Sequence, residues 1–255
     1  MIDRRSFCLT IGATLLLPCR VLHAQTTVFK AMTYRNPRGE TLPYRLFIPD
    51  SYNKRKSYPL VLWLHGSAGR GTDNLKQISG GNTIGSHVWT TAEQQVKHPC
   101  FVVAPQCPEG NQWTSLDKVS PTRPLELVLE ILNDLQKSFN LDRTRLYASG
   151  QSMGGFGTWS LIAENPRMFA AAIPVCGGGD EALAAKLIRV PIWAFHGAKD
   201  EAVSVTRSRT MIAAIKRAGG TPRYTEYADG GHVIWDRVFA EPELLPWVFA
   251  QKSPQ

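Results

Sequence analysis

Ser152 stands at the centre of Gly150-Gln151-Ser152-Met153-Gly154, between the short apolar run Arg145-Leu146-Tyr147-Ala148 and a helix-like stretch that opens at Gly155. A serine spaced this way between glycines, where a strand turns into a helix, can occupy a strained turn with its hydroxyl held clear of a sheet. The glycines suit such a turn because neighbouring backbone passes close by and a Cβ would clash. The pattern alone also describes an ordinary Gly/Ser turn, so its partners decide. A serine hydroxyl is a poor nucleophile at neutral pH and needs a histidine to take its proton and a carboxylate to orient that histidine. Asp200 and then His232 follow Ser152 in that order, each in a Gly-containing segment just after a strand-like run. Asp180, Glu201 and Asp229 compete for the carboxylate role. Among the six histidines, His23 precedes the main body, His65 and His196 sit in His-Gly turns, and His87 and His98 lie before the serine, which leaves His232 as the base.

Attack by a serine on an acyl carbon develops charge on an oxygen, which needs N–H donors. The N–H of Met153, next after the nucleophile, is one candidate. The other is the N–H of Ser67, preferred over Ala68, in the turn Leu64-His65-Gly66-Ser67. Trp113, in a long loop, either stacks on a sugar or aromatic group at the site or pins that loop to the core. Gly80–Ser86 is a second candidate for the rim, or an ordinary connection.

These residues are positioned by an alternation of strand and helix signals. Strands are expected at Val28–Tyr34, Leu42–Ile48, Leu60–Leu64, Phe101–Ala104, Arg145–Ser149, Ala171–Val175, Ile192–Phe195 and Arg223–Tyr227. Helical patterns cover Pro124–Phe139, Phe156–Ala163, Glu181–Ile188, Thr206–Ala218 and Trp235–Phe249. The middle strands are continuous apolar runs, as in parallel strands buried on both faces, and the alternation specifies an α/β fold. Ligands of such sheets bind beyond the carboxyl ends of the strands, where this chain gathers its Gly, Asp and His residues. The segment Cys176–Pro191 leaves room for a loop and a short helix, and for no cap domain.

With 255 residues, 43% of them hydrophobic, the chain suits one large domain. Residues 1–24 carry a charged start with Arg4-Arg5, a short apolar middle and Ala24 before Gln25. That is the plan of an export signal, and it is similar to the bacterial twin-arginine type. The expected organisation is a leader at 1–24 and a catalytic domain at 25–255, delivered to the periplasm or beyond. Lipid attachment at Cys19 is the rival reading, with Pro18 against it. Without the leader Cys100, Cys107 and Cys176 remain. Cys100 and Cys107 bracket a strand and lie roughly 23 Å apart, far beyond disulfide reach. Cys107 with Cys176 stays open. The formal charge of +8 loses three arginines and one aspartate with residues 1–24, which leaves +6. No basic block or aromatic interleaving points to nucleic acid. The surplus is either a solvated surface or an attraction to anionic polysaccharide or envelope. No cluster has metal-ligand spacing, so neither a metal nor another cofactor is expected.

Leu64-His65-Gly66 with Arg70-Gly71-Thr72-Asp73-Asn74, Ala104-Pro105-Gln106-Cys107-Pro108, Gly150 to Gly155, Pro174 to Asp180, His196-Gly197-Ala198-Lys199-Asp200 and Gly231-His232 carry a family resemblance. The chain resembles the α/β-hydrolases, in particular small secreted esterases and predicted peptidases similar to polyhydroxybutyrate depolymerases and feruloyl and acetylxylan esterases. One departure is Gly69, where the group often has an acidic residue beside Arg70. The resemblance implies a mostly parallel, eight-stranded sheet flanked by helices in a single domain. It also implies a serine carboxylic ester hydrolase using Ser152, His232 and Asp200, with oxyanion donors at Ser67 and Met153 and an ester substrate that is bulky or polysaccharide-linked. A serine peptidase is the alternative, and a non-catalytic binding protein a third.

Overall fold

A computed structural model describes residues 29–115 and 119–253. The leader read in residues 1–24, with Cys19, lies outside the described residues. Eight strands form one sheet: β1 (Lys30–Arg35), β2 (Thr41–Phe47), β3 (Tyr58–Leu64), β4 (Phe101–Pro105), β5 (Leu141–Gln151), β6 (Ala171–Val175), β7 (Trp193–Gly197) and β8 (Arg223–Tyr227). Their order across the sheet is β1-β2-β4-β3-β5-β6-β7-β8. β2 runs antiparallel to both its neighbours, and the pairs from β4 to β8 are parallel. Every residue of β3, β4, β6 and β7 is buried, which is why those segments read as unbroken apolar runs. β5 extends further toward its start than its apolar run suggests, because Leu141 pairs with Tyr58 across an irregularity in the β3–β5 register.

Helices cover both faces: α1 (Thr83–His87), α2 (Ala92–Lys97), α3 (Arg123–Ser138), α4 (Met153–Glu164), α5 (Thr206–Arg217), α6 (Trp235–Phe239) and α7 (Leu244–Ala250). Alternation along β3 divides the core. Leu60, Leu62 and Leu64 join a cluster with Val128 and Leu132 of α3, Trp159 of α4 and Met211 of α5. Val61 and Trp63 join Trp235 and Val238 of α6 and Leu244 and Val248 of α7 on the other side. Each such fully buried side chain contributes about 1.5–3 kcal/mol. The central strand β3 is thus fixed from both faces.

Two helix expectations and one loop expectation need correction. Glu181–Leu187 is a 3-10 helix, capped by the Asp180 carboxylate, which accepts from Ala182 N–H at 2.9 Å. The stretch expected as one helix over Trp235–Phe249 is two, α6 and α7, with Pro242 between them. Proline lacks the N–H that continuing the helix would use, and its ring crowds the preceding turn. Gly80–Ser86 is no open loop: a 3-10 turn at Gly80–Asn82 runs into α1. Residues 176–192, between β6 and β7, carry only the 3-10 helix, so no cap domain is inserted there.

Candidate active site

β5 ends at Gln151, α4 begins at Met153, and Ser152 makes the turn between them at φ 55°, ψ −120°. A non-glycine residue held there costs about 1–3 kcal/mol, which the surroundings must offset. Ser152 N–H donates to Val175 O at 2.8 Å, and its carbonyl accepts from Phe156 N–H at 3.1 Å. A Cβ on Gly150 would run into the Gly154 carbonyl, and one on Gly154 into the Leu64 carbonyl. The two glycines are therefore demanded by close backbone approach at the turn.

The structure brings Ser152, His232 and Asp200 together. His232, in the loop after β8, has Nε2 2.9 Å from Ser152 Oγ and Nδ1 2.7 Å from Asp200 Oδ2. A carboxylate only accepts, so Nδ1 carries the proton and Nε2 offers its lone pair to the hydroxyl. The edge of Trp235 packs against the imidazole at 5.3 Å. Asp200, past the end of β7, has a wholly buried side chain, whereas that of His232 is 23% exposed. Burial works to raise the Asp200 pKa, but donation from Val203 N–H, His232 and Ala202 N–H outweighs it and holds the carboxyl below its usual range. The competing carboxylates are elsewhere: Asp180 caps a 3-10 helix, Asp229 pairs with Arg237 at 2.9 Å, and Glu201 is exposed.

The turn after β3 lies against the serine. A Cβ placed on Gly66 would sit 3.6 Å from Ser152 Cβ, and Ser67 opens the 3-10 helix Ser67–Gly69. Met153 opens α4. Both N–H groups stand at helix starts, where no earlier turn supplies an acceptor. Residues that the sequence left without a role hold this turn. Asn82 Oδ1 accepts from Gly66 N–H at 3.0 Å, and Gln151 Nε2 donates to Gly81 O at 2.8 Å. His65 Nε2 accepts from Cys107 N–H at 2.9 Å, so its Nδ1–H donates to Gly66 O at 2.6 Å. Burial lowers the His65 pKa to about 4, which keeps that ring neutral. Side-chain amides in a Gly-rich segment carry no sequence signal of this kind.

Trp113 must be corrected as a substrate-binding residue. Its side chain is fully buried, its Nε1–H donates to His65 O at 3.1 Å, and its ring stands edge-on to His65 at 5.1 Å. It pins the loop after β4 to the turn beneath the site and has no face to offer a ligand. Gly69 has a steric reason: a Cβ there would strike the His65 ring. Arg70 keeps a buried Nε without a partner among the described residues.

Cys107 and Cys176 are free thiols, as is Cys100. Among the described residues, Cys176, His196 and Asp200 form a buried group whose ligand atoms lie within 4.8 Å of one another. It is a poor metal cage. Burial pushes the Cys176 thiol up, away from the thiolate a metal binds, and three N–H donors already occupy the Asp200 oxygens, with His196 Nε2 a further 3.2 Å contact.

A strained serine between a central parallel strand and its helix, in a sheet with this strand order, defines the α/β-hydrolase fold. The family model described as "Putative esterase" matches residues 38–235. The chain belongs to that esterase family. It is 30% identical over 172 residues to a bifunctional acetylxylan esterase/xylanase of Neocallimastix patriciarum, covering 67% of this chain and 23% of that protein. It is 28% identical over 127 residues to poly(3-hydroxyalkanoate) depolymerase C of Paucimonas lemoignei, covering 47% and 28%. A crystal structure of a thermostable esterase superposes with a TM-score of 0.84 at 41% identity, over 88% of this chain and 63% of that one. The chain thus spans less than a third of those two curated relatives. No helix among the described residues is long and apolar enough to cross a membrane.

Proposed function

We propose that the chain is an exported serine carboxylic ester hydrolase that works through an acyl-enzyme on Ser152. The observation that carries this reading is the continuous contact from Ser152 Oγ to His232 Nε2 and from His232 Nδ1 to Asp200, built on a strained strand–helix turn. In the first half-reaction His232 Nε2 takes the Ser152 proton as Oγ bonds to the acyl carbon. Asp200 steadies the imidazolium that forms. The developing oxyanion lies toward the N–H groups of Met153 and Ser67, and the imidazolium returns its proton to the departing alkoxide. Water then repeats the sequence and regenerates the hydroxyl.

The mouth of the site supports a substrate class. With only a 3-10 helix between β6 and β7, nothing inserted there encloses the serine, which suits bulky or polymer-attached acyl groups. The names of the two relatives point the same way, one to acetylated xylan and one to a poly(hydroxyalkanoate). Export rests on the leader pattern of residues 1–24.

A fluorophosphonate probe tests the core of the proposal. One label per chain is expected, with loss of labelling and a fall in ester turnover of about 10⁴ or more in Ser152→Ala. An unlabelled protein would mean a hydrolase fold used for binding alone. The same groups can cleave amides, so matched ester and amide substrates belong in the assay. Comparable turnover of both would make the protein a peptidase.

A further inference from the structure

Asp200 is held by more than its catalytic partner. Oδ1 accepts from Ala202 N–H at 2.9 Å and Val203 N–H at 2.8 Å, and Oδ2 faces two imidazoles. One is His232. The other is His196, at the end of β7, fully buried, with Nε2 3.2 Å from Asp200 Oδ2 and 2.9 Å from Val203 O. Its Nδ1 is 2.7 Å from Ser208 Oγ on α5, and that hydroxyl is also 3.0 Å from Gly177 O, just past β6. Ring and hydroxyl thus tie β6, β7 and α5 to one carboxylate.

The protons on these groups can be assigned by what faces them. Nε2 is met by two atoms that can only accept, a carbonyl and a carboxylate, so a bare lone pair there would be repelled by both. The neutral ring therefore carries its proton on Nε2, and the single Ser208 proton is shared between Nδ1 and the Gly177 carbonyl. Burial keeps the ring neutral by lowering its pKa, against the pull of Val203 O and Asp200. The charged and titratable groups around it are Asp200, His232, Cys176 at the end of β6, and Glu226, its register partner on β8, which Arg209 holds at 2.6 Å.

We propose that His196, seated by Ser208, is a positioning residue for the reaction: its Nε2–H fixes Asp200 Oδ2 in the direction that receives His232 Nδ1–H. The proposal rests on the Ser152–His232–Asp200 reading above. It gives a reason for histidine at 196 that packing does not, since an apolar residue would fill the same volume without a donor to the carboxylate.

The test compares full-length His196→Leu, His196→Gln and Ser208→Ala with the parent on p-nitrophenyl acetate, all rates expressed per fluorophosphonate-titrated site. His196→Leu should lower kcat about 10- to 100-fold with KM within about twofold, because a misdirected carboxylate harms the chemical step more than binding. Its kcat/KM profile should have the acid limb moved to higher pH, since a carboxylate that has lost a donor holds the His232 imidazolium more strongly. Gln can present an amide donor to the same oxygen and should recover most of kcat, while Ser208→Ala should shift both readouts the same way by less. Should His196→Leu not fold, the Gln and Ser208→Ala profiles decide. If kcat per titrated site and the acid limb match the parent in every variant that folds, with only melting temperature lowered, His196 is a packing residue and the proposal falls. Absence of labelling in the parent would instead remove the triad reading on which it stands.

Discussion

Gly66 N–H, Asn82 Oδ1 and Gln151 Nε2 meet beneath the serine turn, and their contacts hold the segment that carries the proposed oxyanion donor Ser67 N–H. Asn82 is almost fully buried, so its side chain cannot be replaced by water without rearrangement. Asn82→Ala leaves Gly66 N–H without its acceptor, which costs about 1–3 kcal/mol and loosens the segment that carries Ser67 N–H. We expect kcat to fall about 10- to 100-fold with little change in KM, since a displacement of about 1 Å at such a site costs on the order of 10²-fold. Steady-state kinetics on a soluble acetyl ester measures it, and an unchanged kcat would separate this turn from the chemistry. The meeting of Ser152, Asp200 and His232 was legible because the roles proposed for them demand particular side chains in a particular order after strand ends. The role of Asn82 was not legible, because any polar residue in a Gly-rich stretch looks alike until tertiary contacts choose one.

Trp113 shows how an element can be placed correctly by sequence and still be misread in purpose. Its loop was expected after β4, where it is found, but an aromatic ring near strand ends reads equally as platform or as anchor. Contact with the His65 carbonyl and with the position of Gly157, where a Cβ would come within 2.7 Å of Trp113 Cβ, makes it an anchor. Trp113→Ala should therefore cost about 3–5 kcal/mol by urea unfolding, as expected for emptying a packed aromatic site. The gentler Trp113→Phe should leave the ratio of kcat/KM for feruloyl over acetyl esters within about twofold of the parent. A collapse of that ratio with stability intact would restore the substrate platform. The helices were legible where apolar spacing is strong, as along Leu125, Val128, Leu132 and Leu135 of α3. They were least legible where a single proline divides one apolar pattern into α6 and α7.

Across the whole molecule, one sheet carries its buried middle strands between two helical layers, and their carboxyl ends deliver Ser152, Asp200 and His232 to a common edge. The apolar runs announced that sheet, since strands covered on both faces have no polar side to disguise them. Sequence spacing excluded Cys100 with Cys107 but left Cys107 with Cys176 open, because that pairing depends on approach between strands that spacing does not report. Cys100, Cys107 and Cys176 are all buried and free, and burial raises the pKa of Cys100 and of Cys107 to about 12. A thiol that is neither accessible nor ionised reacts slowly, so an oxidising compartment poses little threat to the folded protein. For the chain without residues 1–24 we expect almost no reaction with Ellman's reagent under native conditions, and release of all three thiols on unfolding without reductant. Dithiothreitol should leave the melting temperature unchanged, whereas a disulfide closing so long a segment would lower it on reduction by the equivalent of about 3–5 kcal/mol. A titre of one thiol in the unfolded, unreduced protein would establish one disulfide, and peptide mapping of Cys107 joined to Cys176 would overturn the free-thiol assignment.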